Sequence, residues 1–517
     1  MHHSMKTLAL FLSALVILLP LGAQQLQNQP TAKITFKVAA DYLALHSSGS
    51  APASATALEY RLTMSNDAAK AGAWTAFPQP PAADGSFQFD VQLPEWRWSK
   101  LEVRALAGGQ VLASAEAKPK QPVFEMLTPQ RIGALPDAER AAWQSYMETT
   151  RRHAEHEREV LAAECRQLGF PLSKAAPNDS KVFKMDKSVL PTWYGSAEAL
   201  KLADAVLSYQ TPAGGWSKAI GYAAGPRTPG KQWTCNAGNP WHYCGTLDNS
   251  STTEQIKFLA NIYLASKRED AKAGALRGIE WLLAAQFPNG GWPQVYPAEP
   301  GYHEAITLND NAMLHALEVL LAMSKGDAPF TFLDAAIRQR GAAAFEKGIA
   351  CLVACQVRVA GKPTVWCAQH DPLSLAPVAA RLKEPPSLSG AESAEMLKFM
   401  MREVPLTPAV ISTIRTGIAW LTEHRIQGLR KIRTAAGKTD YVPDASSTEI
   451  YWARFYDVQT GQPIFAGAQD GKIYASFHEM AQHNKVAYDY FTTKPADLAG
   501  KEFERWEKRM QKEGKDR

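Results

Sequence analysis

Residues 209–218 read YQTPAGGWSK, and residues 285–294 read AQFPNGGWPQ. Both contain Gln-x-Pro-x-Gly-Gly-Trp, and both follow a helix-forming run, DAVLSYQ in one case and IEWLLAAQ in the other. After each comes a loop and then a Thr-Leu-polar start to another helix: TLDN from Thr246 and TLNDN from Thr307. A third, degraded copy follows LVACQ, with KPTVWCAQH where Gly-Gly-Trp stood and SLSGAES opening the next helix. The unit is therefore helix, Trp-bearing loop, helix. Repeated helix pairs predict stacked hairpins or a closed ring. In a ring the Trp loops and helix starts gather at one end, which is where a site would be built. The glycines let the chain turn where a Cβ would clash.

Outward from the repeat, residues from about 195 keep apolar spacing at i, i+3 and i+4 almost to the end, in segments such as STTEQIKFLANIYLASK and AVISTIRTGIAWLTEHR. Residues 31 to about 120 alternate instead, in KITFKVAA, ALEYRLTM, SFQFDVQL, KLEVRALA and QVLASAEA. Short strands at that spacing predict a small β-sandwich, either a spacer or, through its Trp and Tyr, a carbohydrate-binding module. KPKQP at 118–122 reads as a linker. The charged helical run after it reads as a solvated face, and AAPNDSK breaks the pattern. The expected division is a signal peptide over 1–23, a β-sandwich over 24–122, a helical linker region over 123–189 and a catalytic domain over 190–517.

The leader has Lys6, the apolar run LALFLSALVILLPL and small residues before Gln24, which predicts cleavage after Ala23. The run is shorter than the ~20 residues a membrane span needs. The expectation is an exported chain, secreted or periplasmic, with no membrane insertion after cleavage. A formal net charge of +5 on 517 residues is too mild to imply nucleic acid. It suits a polyanion only if the charge gathers in one place. Six cysteines allow 15 pairings. Cys235–Cys244 and Cys355–Cys367 are the candidate bridges, with buried free thiols as the alternative.

The helix starts carry the chemistry. In TLDNSSTTEQ, Ser251 and Glu254 have capping-box spacing, which leaves Asp248 and Asn249 without a capping task. Asn309, Asp310 and Asn311 occupy the corresponding place in the second copy, with helix capping as the alternative role there. Two carboxylates and several amides are hard oxygen donors that suit calcium and suit zinc poorly. The third loop offers cations instead: Arg381 and Lys383 before a Pro-Pro turn, with His370 and Asp371 upstream. Metal beside Arg and Lys makes a receptor for a carboxylated sugar polymer. Trp216, Trp292 and Trp366 read either as platforms for sugar rings or as plugs between helix pairs.

TLDNSSTTEQIKFLA, AAQFPNGGWPQVYP, GYHEAITLNDNAM, VWCAQHDPLSLAPVAARLKEPPSLSGAES and YWARFYDVQTGQPIFAGAQDG, in that order, resemble the pectate lyases of polysaccharide lyase family 10. The resemblance covers about residues 190–492. It implies a mainly α fold, an (α/α)3 toroid-like catalytic domain behind the small β-sandwich. It also implies calcium dependence and cleavage of polygalacturonate, an acidic plant-cell-wall polysaccharide, by β-elimination. Arg381 matches the catalytic base of the family, a demanding role because a free guanidinium stays protonated. The milder role is a bidentate clamp on a uronate carboxylate. Asp248 and Asp310 are the expected metal ligands. Arg454, Lys383, Asn249, Asn311, Trp366, His370 and Trp216 are the expected substrate contacts, in a monomeric enzyme.

Two other functions fit parts of the pattern. A hydrolase of uronic-acid oligosaccharides on a related toroid would use paired carboxylates. A non-catalytic pectin-binding protein would keep the Trp loops but would have no use for a metal beside Arg381.

Overall fold

Alternating polarity in the first hundred residues produces strands, and helical spacing in the remainder produces hairpins. The computed structural model describes residues 33–512 apart from 42–43, 64–70, 93–99, 118–125, 171, 180, 186–187, 237–240, 299–300, 382, 435–436, 438 and 487. The leader and the KPKQP stretch lie outside the described residues. Among those described, no helix is long and apolar enough to cross a membrane.

Seven strands come first: β1 (Thr35–Asp41), β2 (Ala44–Ser50), β3 (Ala57–Thr63), β4 (Thr75–Ala76), β5 (Ser86–Gln92), β6 (Lys100–Ala107) and β7 (Gln110–Ala117). They form two antiparallel sheets, ordered β1-β2-β5 and β4-β3-β6-β7. Phe36, Val38 and Phe89 from one sheet and Leu58, Leu101 and Val103 from the other share one apolar cluster. Trp74, a potential sugar platform, carries the Arg61 and Arg104 guanidinium groups over its ring, 4.7 and 4.1 Å from the centroid. Both arginines are also ion-paired, with Glu102 and Glu59.

Helices follow: α1 (Pro129–Gly133), α2 (Asp137–Leu168), α3 (Ala197–Ser208), α4 (Thr253–Ser266), α5 (Glu269–Ala285), α6 (Ala312–Lys325), α7 (Ala335–Ala354), α8 (Gly390–Glu403) and α9 (Pro408–Glu423). Helix α4 packs on α5, α6 on α7 and α8 on α9. Lys267 and Gly326, both left-handed, end α4 and α6 so that the chain can reverse. Their apolar faces, with Ile256, Leu282, Leu317, Leu352 and Leu397 among them, belong to one continuous core.

The repeated motif is the device that joins one hairpin to the next. Gln210 Nε2 donates to the carbonyl of Gly214 in its own loop and to that of Gly274 in α5. Gln286 does the same with Gly290 and with Ala344 in α7, and Gln356 with Thr364 and Thr413 in α9. Each amide therefore bonds its own loop to a helix of the following pair. Gly214 and Gly290 have φ of 105° and 97° and press against the backbone of α5 and α7. A Cβ at Gly290 would collide with the Lys347 carbonyl oxygen.

The tryptophans complete the joint. Trp216, Trp292 and Trp366 are each 0% exposed. Their indole N–H groups donate to Val206, Leu282 and Leu352 carbonyls at 2.8, 2.9 and 2.7 Å. Gly278 and Gly348 make room for the first two rings; a Cβ there would lie 2.8 and 2.9 Å from them. Trp452, a fourth member not recognised in the sequence, donates in the same way to the Leu421 carbonyl in the last turn of α9. The stacking-platform expectation for Trp216 and Trp366 is corrected, because a fully buried ring offers no face to a sugar.

Further expectations change. All six cysteines are free thiols, so neither candidate bridge is formed. Cys244 packs with Leu161 and Trp233, whereas Cys235 leans on the main core. Cys355 faces Cys351, one helical turn back, and burial and that neighbour push its thiol well up. The Ser251–Glu254 capping box is absent: Thr252 caps α4 without a side-chain bond, and Glu254 pairs with Lys257. At the third helix start only half of such a box is present: Ser389 Oγ accepts from the Glu392 N–H, while the Ser389 N–H goes to the Trp366 carbonyl. Helix α2, read as part of a linker, buries Trp143 and Tyr146 against Phe287 in the hairpin core. It also buries Glu157, 2% exposed, whose Oε1 accepts from the Ala213 N–H in the first Trp loop.

Gly290→Ala is expected to cost several kcal/mol, combining the ~1–2 kcal/mol of a left-handed Cβ with ~1–3 kcal/mol of overpacking. Gly361→Ala, with φ of 79° and nothing within 4 Å, should cost only the first part. Denaturant midpoints of the two variants check the difference. Burial pushes the Glu157 carboxyl up from 4.5 to about 7. Its folded-state proton affinity is thus raised, so its contribution is complete below 4.5 and is lost as pH rises through 7. Glu157→Gln should therefore flatten the fall in melting temperature across that interval, relative to wild type.

Candidate active site

Equivalent backbone bonds set the register of the helix starts. Thr246 N–H donates to the Trp216 carbonyl, Thr307 N–H to Trp292 and Ser389 N–H to Trp366. In that register Asp248 corresponds to Asn309, and Asn249 to Asp310. The backbone agrees: Asn249 and Asp310 have φ of 53° and 52°, and Ser250 and Asn311 have 61° and 60°. Consecutive non-glycine residues in the left-handed region are strained, and such strain is concentrated at functional sites. The third start has no such pair; it passes from Ser389 directly into α8 through Gly390.

The first two turns touch each other. Because their acids are offset by one position, the contact brings Asp248 and Asp310 together. Asp248 is 3% exposed. Its Oδ2 accepts from Lys218 Nζ, while its Oδ1 is buried with no hydrogen-bond partner. Asp310 is exposed as a residue, but protein crowds its carboxyl. That desolvation, with the Asp248 carboxylate and then Glu392 adding to it, pushes Asp310 up to about 6, and Arg454 opposes the rise. Asn309 Nδ2 donates to Asp310 Oδ2 at 2.8 Å. Asn249 stands exposed at its turn and Asn311 is half-buried.

A cationic group lies next along the same surface. Arg454 is 4.0 Å from Glu392, and its Nε is buried without an acceptor. Arg454, Lys383 and Arg381 all approach the Tyr488 ring, at 4.4, 4.6 and 5.9 Å from its centroid. Arg381 makes a bidentate pair with Glu384, Nε to Oε2 at 2.8 Å and Nη2 to Oε1 at 2.7 Å. Tyr488 O–H donates to the same Oε1 at 2.6 Å. The Glu384 carboxylate thus raises the proton affinity of Arg381, against the effect of its partial burial. Asn309, Glu384, Glu392 and Arg454 line one recess.

The sequence-predicted residues therefore divide. Asp248 and Asp310 meet, with Asn249 and Asn311 in the same two turns. Arg381, Lys383 and Arg454 gather around Tyr488. His370 does not join them: it is 0% exposed, with both ring nitrogens engaged by the Leu375 carbonyl and the Cys367 N–H. Burial lowers its imidazole to about 4, so it remains neutral and structural, and its substrate-binding assignment is corrected. Asp371 is bonded bidentately to Arg131 of α1. Two members were missed. Lys218 follows the Trp loop directly in GGWSK, a signal the sequence contained. Tyr488 comes from VAYDYF near the C-terminus, and no spacing linked it to Arg381. The whole is an acid pair, one member buried, beside three cations, a surface able to hold a metal ion and a chain of repeated carboxylates.

The family described as pectic acid lyase matches residues 210–499. No curated protein sequence matches the chain. A solved family 10 polysaccharide lyase from Cellvibrio cellulosa is 28% identical, covers 63% of this chain and 99% of its own, and superposes with a TM-score of 0.52. A mutant family 10 lyase from the same organism, in complex with trigalacturonic acid, is 29% identical over 61% of this chain and 95% of its own, with a TM-score of 0.52.

Tyr488→Phe removes only the hydroxyl that Glu384 accepts from. It should lower unfolding free energy by about 1.5 kcal/mol, the lower end for a hydrogen bond to a charged group, since the ring is only half-buried. Tyr488→Leu should cost more, because the contacts with three cations go too. Denaturant titration of both variants at pH 7 measures the two effects.

Proposed function

Because this chain belongs to the pectic acid lyase family and is a polysaccharide lyase, we propose that it cleaves α-1,4-linked polygalacturonate by calcium-assisted β-elimination, releasing 4,5-unsaturated oligogalacturonides. The observation that carries this reading is the Asp248–Asp310 pair beside Arg454, Lys383 and Arg381. The Cellvibrio complex with trigalacturonic acid supports the same class of ligand here. Included in the proposal are an (α/α)3 toroid behind a β-sandwich, action as a monomer, and export to a secreted or periplasmic location through residues 1–23.

The reaction removes the C5 proton of a galacturonate and expels the oxygen at C4. Negative charge then builds on the C6 carboxylate, so positive charge already placed there lowers the barrier. Calcium, when bound, supplies such a charge as a Lewis acid. The residues fit it: Asp248 and Asp310 are hard oxygen donors, and Asp248 Oδ1 lacks any other partner. Among the described residues no group of three or more His, Cys, Asp or Glu gathers to hold a metal. On this reading substrate carboxylates complete the shell.

The other roles belong to the chain itself. Arg454, with its unoccupied Nε, binds a uronate carboxylate, and Lys383 binds a neighbouring one. Arg381 is placed at the reacting carbon, as its match to the family base implies. In the protein described here Glu384 holds it protonated, so accepting the C5 proton requires that pair to open and a proton to leave first. Clamping a carboxylate requires neither step.

The test follows ultraviolet absorbance of de-esterified polygalacturonate, because elimination leaves a C4–C5 double bond conjugated to the carboxylate. A rise with calcium, abolished by chelator and by Asp248→Asn, is expected. New reducing ends without absorbance would overturn elimination. Arg381→Ala should abolish the rise in either role. Arg381→Lys separates them, since a clamp keeps part of the rate while a proton acceptor at this position loses nearly all of it.

A further inference from the structure

We infer that Lys218 is a tethered cation that competes with the metal for Asp248, making calcium binding weak in the free protein and dependent on substrate. The inference rests on the calcium reading above and adds to it a residue that sets the affinity.

The geometry is specific. Lys218 Nζ is ion-paired with Asp248 Oδ2 and lies 3.4 Å from the centroid of the Tyr243 ring. That ring is buried, and its hydroxyl is 3.0 Å from the Tyr302 hydroxyl, so the wall behind the ammonium is fixed. The backbone of Lys218 is fixed as well, since it follows Trp216 and Ser217, which are 0% and 1% exposed. Retreat of the ammonium from Asp248 is therefore restricted at both ends of the side chain. Of the two Asp248 carboxylate oxygens, Oδ1 is the one without a hydrogen-bond partner.

A divalent ion held between Asp248 and Asp310 would sit within a few ångströms of this ammonium. Like charges that close repel strongly in a partly buried site. Uronate carboxylates change the balance, because they add negative charge that ion and ammonium share. The repulsion thus acts mainly on the free protein. It couples metal and substrate binding in the thermodynamic sense, with each raising the affinity for the other by the same factor.

Calorimetric titration of calcium chloride into the protein tests this without any turnover. The arms are buffer alone and buffer with galacturonic acid monomer, which supplies the carboxylate but has no glycosidic bond to cleave. Lys218→Met and Lys218→Gln should each bind calcium at least about tenfold more tightly than wild type in buffer. Lys218→Arg, which keeps the charge, should stay near wild type, and the gain of the neutral variants should shrink with the monomer present. If Lys218→Met does not fold, Lys218→Gln decides. Neutral variants that bind calcium as wild type does, or more weakly, would overturn the role of Lys218 and leave the calcium reading intact. No calcium binding by any form in either arm would overturn both.

Discussion

The structure depends on one kind of joint, an amide side chain that bonds two backbones at once. Gln210, Gln286 and Gln356 each satisfy a carbonyl in their own loop and another in a helix of the next pair. Helix packing alone tolerates sliding, since ridges and grooves fit at several nearby registers. A buried amide does not, because its donors must meet particular acceptors or be left unsatisfied at a cost of about 1–3 kcal/mol. The indole N–H groups of Trp216, Trp292, Trp366 and Trp452 add a second fixed bond per joint. The helix starts that follow are therefore located to within hydrogen-bond tolerance. The site needs that accuracy, since it is assembled from several different repeats.

Within this frame the first two turns diverge from the third. Asn249, Ser250, Asp310 and Asn311 take up the left-handed region, whereas Ser389 makes an ordinary capped start. The repeat supplies the position, and the strained pairs shape the two turns that hold Asp248 and Asp310. The third loop, without the strain, contributes Ser389 and Glu392 to the recess and carries Arg381 and Lys383 in its connection.

Much of this was legible in the sequence, and the limits have physical causes. Helical spacing and the Gln-Pro-Gly-Gly-Trp pattern announced the hairpins because both are local. Asp248 stood out because the Ser251–Glu254 spacing, read as the cap, left it without that task, and Asp310 because it held the equivalent place in the second copy. Burial was harder: Trp and His have one appearance in sequence whether they face a ligand or a core, and only the packing shows Trp216, Trp366 and His370 to be enclosed. Pairing was harder still. Tyr488 meets Glu384 across more than a hundred positions of chain, and no local rule relates them. The Ser251–Glu254 box failed because the left-handed turn moves the cap to Thr252 and turns Glu254 toward Lys257.

Two charges of the site are paired inside the protein. Lys218 neutralises Asp248, and Glu384 neutralises Arg381. A partly buried charge without a counter-charge would be costly, so the ligand-free fold needs these pairs. On the proposed reading the same pairs oppose binding, since a metal would have to compete with an ammonium and a uronate with a carboxylate. A ligand bearing both charges would remove the opposition at both places together: its carboxylates would take over the cations, and the metal they bring would take over the acids. The proposal thus makes the two pairs a filter for a ligand that arrives as polyanion and cation together.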